Sequence, residues 1–325
     1  MRRRDFIALG GAAAAAWPVG GRAESNLPVV GILSPTTRRD KLVETSFVTS
    51  LRQAGFVEGQ TVAFEYRFAE NRFDRLSSLA ADLVRRKVAL IFTASGTIAA
   101  LAAKAATSSI PIVFVTGGDP IKAGLIASLN RPGGNITGIS LIAGALNEKR
   151  LELLHEVVPK AAPIAVLYNP NNPNADPEVQ SLMRAAQEKK LRLHIFEASA
   201  VRDIDDAFLA MIDKKCEALL VMTDPYLNEQ FDKLTGLAAR QAIPAVYGYR
   251  DFAEAGGLLS YGTSVRDAQR QAGLLAARIL QGERPAELPV QQATKVELII
   301  NLKTAKALGL TFPISLLGRA DEVIE

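Results

Sequence analysis

Two stretches of the chain share one layout, and that repetition limits the fold more than any other feature. VALIFTASGTIAALAAKAATSSIPIVFVTG (88–117) runs from an apolar segment through a helical pattern to a second apolar segment after Ile110-Pro111. EALLVMTDPYLNEQFDKLTGLAARQAIPAVYGY (217–249) does the same, with Ile243-Pro244 at the matching place. Ala89 corresponds to Ala218 and Val30 to Ala165, offsets of 129 and 135 residues. A repeat this long is not a solenoid unit. It predicts two lobes of one design.

Within each lobe, short apolar runs alternate with amphipathic helical patterns. Strands are expected at Val29–Leu33, Val62–Tyr66, Ala89–Phe92, Ile112–Val115, Ile164–Tyr168, Leu193–Phe196, Ala218–Met222 and Ala245–Tyr247. Helices are expected at Lys41–Ala54, Phe73–Arg86, Ile98–Ala106, Glu148–Val158, Glu178–Lys189, Ile204–Lys214, Asn228–Gln241 and Val265–Gln281. Such alternation makes parallel sheets covered by helices on both faces, and continuous apolar strands fit that burial. The expected fold is α/β, two doubly wound parallel-sheet lobes joined by a hinge. The first crossing is expected in Leu129–Ser140 around Gly133-Gly134, the second in EAGGLLSYGTSV, and the return near Leu288. Lobe 1 is then 27–139 plus 263–288, and lobe 2 is 140–262 plus 289–325.

The formal charge of +4 misleads, because Arg2, Arg3, Arg4 and Arg22 fall in the first 23 residues. MRRRDFIALGGAAAAAWPVGGRA has a basic head, a short apolar stretch and a small-residue exit, the pattern of a secretory signal. Arg3-Arg4-Asp5-Phe6-Ile7 matches the twin-arginine type. Cleavage is expected near Ala23, giving a periplasmic protein. A membrane anchor is the alternative, but Phe6–Val19 falls short of the ~20 residues a span needs. The remaining chain is near neutral, which gives no reason to expect nucleic acid. Cys216 is the single cysteine, so no internal disulfide forms. No metal-ligand cluster and no cofactor motif is present.

Open parallel sheets bind ligands beyond the carboxyl ends of their strands. Those segments hold Ser34, Thr93, Ser95, Gly96, Thr97, Thr116 and Asp119 in lobe 1, and Tyr168, Asn169, Asp224, Tyr226 and Tyr247 in lobe 2. A helix starting near Ser95–Thr97 presents unpaired amides that favour an anion; Ser95 or Thr97 acting only as a cap is the other reading. Asp119-Pro120 and Asp224-Pro225 both fit caps, with Pro at the first helical position. Asp224 stands at the point of the repeat opposite Thr93–Thr97, so anion site and carboxylate together suit a zwitterion. The chain has six Tyr, and Tyr168, Tyr226, Tyr247 and Tyr249 cluster at these ends with Phe252. They can stack on a ligand or pack in the core. Ser95 as a nucleophile lacks the G-x-S-x-G elbow, and the chain's two His, His155 and His194, sit in helical and strand patterns.

PIVFVTGGDPIKAGLIASLNRPGGNITGIS, IAVLYNPNNP, AIPAVYGYRDFAEAGGLLSYG and ATKVELIINLKTAKALGLTFPISLLGRADEVIE resemble the tryptophan/tyrosine-type substrate-binding proteins of ABC importers. The resemblance covers the chain after the signal. It implies a type I periplasmic binding-protein fold with three crossings, a monomer, and a small carboxylate-bearing ligand, an aromatic or apolar amino acid, delivered to an ABC permease. It implies that Ser34, Ser95, Thr97, Thr116 and Asp224 hold the polar groups of the ligand, with aromatic contacts from Tyr168, Tyr226 and Tyr247. The Asn- and Pro-rich loop Asn169–Pro177 departs from that pattern. A periplasmic sensor and an exported hydrolase are the alternative functions.

Overall fold

The computed structural model describes residues 27–37 and 43–325. The expected signal segment lies outside them. Among the described residues, thirteen strands occur in chain order: β1 Val29–Ser34, β2 Ala63–Phe68, β3 Leu90–Thr93, β4 Ile112–Thr116, β5 Ile136–Ser140, β6 Ile164–Tyr168, β7 Leu193–Glu197, β8 Ala218–Val221, β9 Ala245–Tyr247, β10 Leu259–Thr263, β11 Gln291–Gln292, β12 Val296–Asn301 and β13 Glu322–Ile324. They form two sheets, β11-β5-β4-β3-β1-β2 and β13-β12-β10-β9-β8-β6-β7.

Every pairing in the first sheet is parallel. The second is mixed, because β10 runs antiparallel to β12 with Leu259 opposite Ile300 and Tyr261 opposite Leu298. β3, β4 and β5 are buried along their whole length, as strands covered on both faces must be. Leu90 and Phe92 point to one face, where Phe47, Ala272 and Ala276 pack. Ile91 and Phe114 point to the other, against Leu83, Ala100 and Ala103. The alanines of the helix Thr97–Ala106 have little side chain to hold it off the sheet.

All eight expected strands form, within about two residues at either end, and helices fill the expected intervals. The Asn228–Gln241 pattern divides into Pro225–Glu229 and Phe231–Arg240. The Gly133-Gly134 turn does not carry the chain to the other lobe. It adopts φ of +75° and +63° and joins β4 to β5 within one sheet, which only glycine does without strain. The sheets are connected instead by residues 141–146, by Ser264 and by residues 293–295. Gln291-Gln292, beyond the return expected near Leu288, still pairs with β5 of the first sheet. These crossings are tied to one another. Thr263 Oγ1 donates to the Leu141 carbonyl at 3.1 Å, and Ser264 N donates to the Lys295 carbonyl at 3.1 Å. Among the described residues, no helix is long and apolar enough to cross a membrane.

Candidate functional site

The carboxyl ends of the two sheets meet across a seam. On the first lobe, Gly96 has φ +80° and precedes the helix Thr97–Ala106. A Cβ on Gly96 would stand 2.7 Å from Pro225 Cγ of the second lobe, so the contact admits only glycine without a shift. Thr97 is 2% exposed. Its hydroxyl shares a hydrogen bond with the Thr116 hydroxyl and accepts another from Asn174 Nδ2 of the second lobe at 2.9 Å. Thr93 is buried and its Oγ1 has no partner, while Ser95 is half-buried beside it. Ser34 bonds its neighbour Thr36 at 2.9 Å. Asp119 is exposed, and its Oδ1 accepts from the amides of Ile121 and Lys122, a turn cap.

Asp224 of the second lobe, next to the Pro225 that abuts Gly96, is 2% exposed. Oδ1 accepts from Leu227 N at 3.0 Å and Asn169 Nδ2 at 3.0 Å, and Oδ2 accepts from Asn172 Nδ2 at 3.1 Å. Burial pushes its carboxyl upward, and these donors oppose that. Asp224 therefore caps the helix Pro225–Glu229 and places a buried acid at the seam.

The tyrosines divide. The ring of Tyr168 lies in the second lobe's core, and its hydroxyl donates to Glu197 Oε1 at 2.8 Å; burial first, and then Glu197, pushes the phenol up to about 12. Tyr226 and Tyr247 belong to the core on the other face of that sheet, and Tyr247 stacks on Phe252 with ring centroids 4.5 Å apart. Tyr249 differs, because it packs against the core of the first lobe and that of the second.

The sequence did not signal a polar cluster on the helix Asn147–Val157. Arg150 is fully buried. Nε donates to the Tyr261 carbonyl at 2.7 Å, Nη1 to the Ala143 carbonyl at 3.1 Å and to Asn147 Oδ1 at 2.6 Å, and Nη2 has no partner. Burial pulls the guanidinium down to about 10. Asn147 Nδ2 donates to Glu178 Oε2 at 3.0 Å. Burial pushes Glu178 up to about 7, against the opposing effects of Asn147 and Arg150. The available signal was spacing: Asn147, Arg150, Leu151 and Leu154 are buried in steps of three, one and three along the helix, the stripe that faces a core.

Beside Tyr249 lies a cavity of about 610 Å³, within the size range of small-molecule sites. Ser46, Thr49 and Ser50 wall it from the first lobe, Tyr249 and Asp251 from the second, with the first turn of the helix Val265–Leu280 at the hinge. Elsewhere on the seam, Glu229 of the second lobe meets the first. Its Oε1 accepts from the amide of Thr37 at 3.0 Å and from the Thr37 hydroxyl, and Oε2 accepts from Asn71 Nδ2 at 2.8 Å. Among the described residues no group of acids, His and Cys could hold a metal.

The family model described as ABC transporter substrate binding protein matches residues 30–324. A tyrosine-binding protein of Clostridioides difficile (strain R20291) is 30% identical over 264 residues, 81% of this chain and 75% of that protein. A solved domain from Streptococcus pneumonia, described as an ABC domain in complex with L-Trp, superposes with a TM-score of 0.81 at 25% identity, covering 92% of this chain and all of that one. A conserved domain protein from Vibrio cholerae superposes with a TM-score of 0.82 at 26% identity, over 91% of this chain and 99% of that one.

Proposed function

The chain belongs to the family of ABC transporter substrate-binding proteins, and from that premise we propose that it captures an amino acid with an aromatic or apolar side chain between its lobes and delivers it to a membrane permease. The observation that carries the proposal is Tyr249. This one ring lines the cavity and packs against the cores of both lobes. A ligand resting on it touches both halves of the molecule, so its binding free energy differs between open and closed arrangements. That difference is what drives a hinge to close.

A zwitterion suits the seam. Buried Asp224 and half-buried Glu178 bring carboxyl oxygens to the second lobe's side, and the Thr93–Thr97 segment offers hydroxyls and helix amides from the first. The aromatic preference is supported by the relatives, one named for binding tyrosine and one solved with L-Trp. In this reading the N-terminal 23 residues direct export, binding takes place in the periplasm as a monomer, and the closed form is what the permease meets. Capture by closure involves no bond-breaking step and no cofactor.

Calorimetric titration of the mature protein with each of the twenty amino acids tests this. Tyrosine or tryptophan is expected to bind most tightly. If all twenty give no heat and no rise in melting temperature, the amino acid reading is wrong.

A further inference from the structure

The hydrogen bonds of Arg150 run to the segments that join the lobes. Nη1 donates to the Ala143 carbonyl of the first crossing, and Nε donates to the Tyr261 carbonyl, three residues before Ser264 of the second. Two residues away on each segment, Thr263 Oγ1 donates to the Leu141 carbonyl, so the two crossings are joined at two levels. Tyr261 also pairs with Leu298, three residues past the third crossing. The backbone closes tightly on the guanidinium. A Cβ on Gly262 would stand 1.8 Å from the Gly248 carbonyl oxygen and 3.2 Å from Arg150 Nη2, and one on Gly248 would stand 2.1 Å from Thr223 Cγ2 and 3.3 Å from Nη2. Neither position has room for a side chain. Gly248 precedes Tyr249, the ring that touches both cores, so the guanidinium also borders the path by which the chain reaches that ring.

From the same helix a second path leads to the seam. Asn147 Oδ1 accepts from Arg150 Nη1 at 2.6 Å, and Asn147 Nδ2 donates to Glu178 Oε2 at 3.0 Å. Glu178 also lies against the first crossing, because a Cβ on Gly144 would stand 2.3 Å from its Oε1. It belongs to the first turn of the helix Ala175–Glu188. The N-cap of that helix is Asn174, which donates to Thr97 Oγ1 of the first lobe at 2.9 Å. About one helical turn therefore separates a contact with the hinge from a contact with the opposite lobe.

Stability alone does not account for a fully buried arginine, since apolar residues of similar volume often serve a core as well or better. What they lack is a rigid planar fork that fixes several carbonyls at once. We propose that Arg150 is a positioning residue for ligand capture: it holds the first and second crossings in one arrangement and, through Asn147 and Glu178, ties that arrangement to the Asn174–Thr97 contact across the seam. The inference rests on closure around a ligand as its setting. It concerns the hinge and gives Arg150 no contact with the ligand.

Arg150→Lys keeps the charge without the fork, Arg150→Met keeps neither, and Asn147→Ala breaks the path to Glu178 with Arg150 in place. Phe208→Ala, a truncation in the core on the other face of the second-lobe sheet, is the control for lost stability alone. In a Cys216→Ser background, nitroxide labels at the exposed positions Ser77 of the first lobe and Arg202 of the second report the distance between lobes by pulsed electron spin resonance. Both Arg150 variants and Asn147→Ala are expected to broaden the ligand-free distance distribution and to bind L-tyrosine about tenfold more weakly than the wild type. Phe208→Ala is expected to lower Tm and leave the width and the affinity as they are. An unchanged width or an unchanged affinity in the Arg150 variants, or equal changes in Phe208→Ala, overturns the proposal. If neither Arg150 variant folds, Asn147→Ala decides by the same criteria. If none of the twenty amino acids binds the wild type, the amino acid reading falls, and the ligand-free widths alone decide the role of Arg150.

Discussion

Asn71 and Glu229 join the two lobes across the seam: Asn71 Nδ2 donates to Glu229 Oε2 at 2.8 Å. Thr37 fills the other oxygen, so a single second-lobe carboxylate is held by two first-lobe residues. These bonds exist only when the lobes are together.

Glu229→Ala is therefore expected to favour the open form. Small-angle scattering should show a larger radius of gyration without ligand than the wild type has, and ligand affinity should fall about tenfold. An unchanged radius and affinity would show that Glu229 does not hold the closed form.

Tyr249 and Tyr168 should separate in a binding assay. Tyr249→Ala removes the ring shared by both cores and is expected to weaken the ligand at least tenfold. Tyr168→Phe removes only a hydroxyl bonded to Glu197, and affinity should stay within about twofold. A large loss for Tyr168→Phe would place Tyr168 in the site.

Glu178 should give stability a pH slope. Its folded value is raised to about 7 from 4.5, so the folded state binds its proton more tightly than the unfolded chain does. That contribution is full below pH 4.5 and is lost as pH rises to about 7. Glu178→Gln removes the slope. Above pH 7 the variant is expected to be more stable than the wild type by on the order of 2 kcal/mol, a few degrees in Tm. Parallel Tm profiles for the two proteins between pH 4.5 and 7 would contradict the raised value.

Phe47→Ala should weaken the first lobe. Phe47 stacks on Phe92 with centroids 3.8 Å apart, and both are fully buried. Truncation is expected to cost about 3–5 kcal/mol in denaturant unfolding. A cost below 1 kcal/mol would mean that the neighbours close the space.

Six of the eight strands that the sequence revealed, β1, β3, β4, β6, β8 and β9, are buried along nearly their whole length, and burial of that kind favours an unbroken apolar run. β5 (ITGIS) and β10 (LSYGT) lie at the hinge and carry Thr, Ser and Gly there, so their runs break and neither read as a strand. The same continuity hid which way strand side chains point. Tyr168 and Tyr247 end buried strands, and without alternation in the sequence nothing distinguished a core ring from one facing the seam. Tyr249, two residues past Tyr247, reaches the seam. Asp224 was legible because Asp-Pro before a helical pattern is cap grammar. Arg150 was not, because an arginine on a helix ordinarily lies in solvent, and only its place in the buried stripe set it apart.

The helix Val265–Leu280 supplies Ala268, Ala272, Leu275 and Ala276 to the core of a lobe whose first strand begins at Val29. Neither lobe is a continuous piece of chain. The first cannot finish packing until residues more than two hundred positions downstream have been made, and by then all the β-strands of the second lobe except β12 and β13 exist. The late segments of the two lobes are interleaved, and of the three crossings only Ser264 is one where a cut leaves both sheets incomplete in both halves.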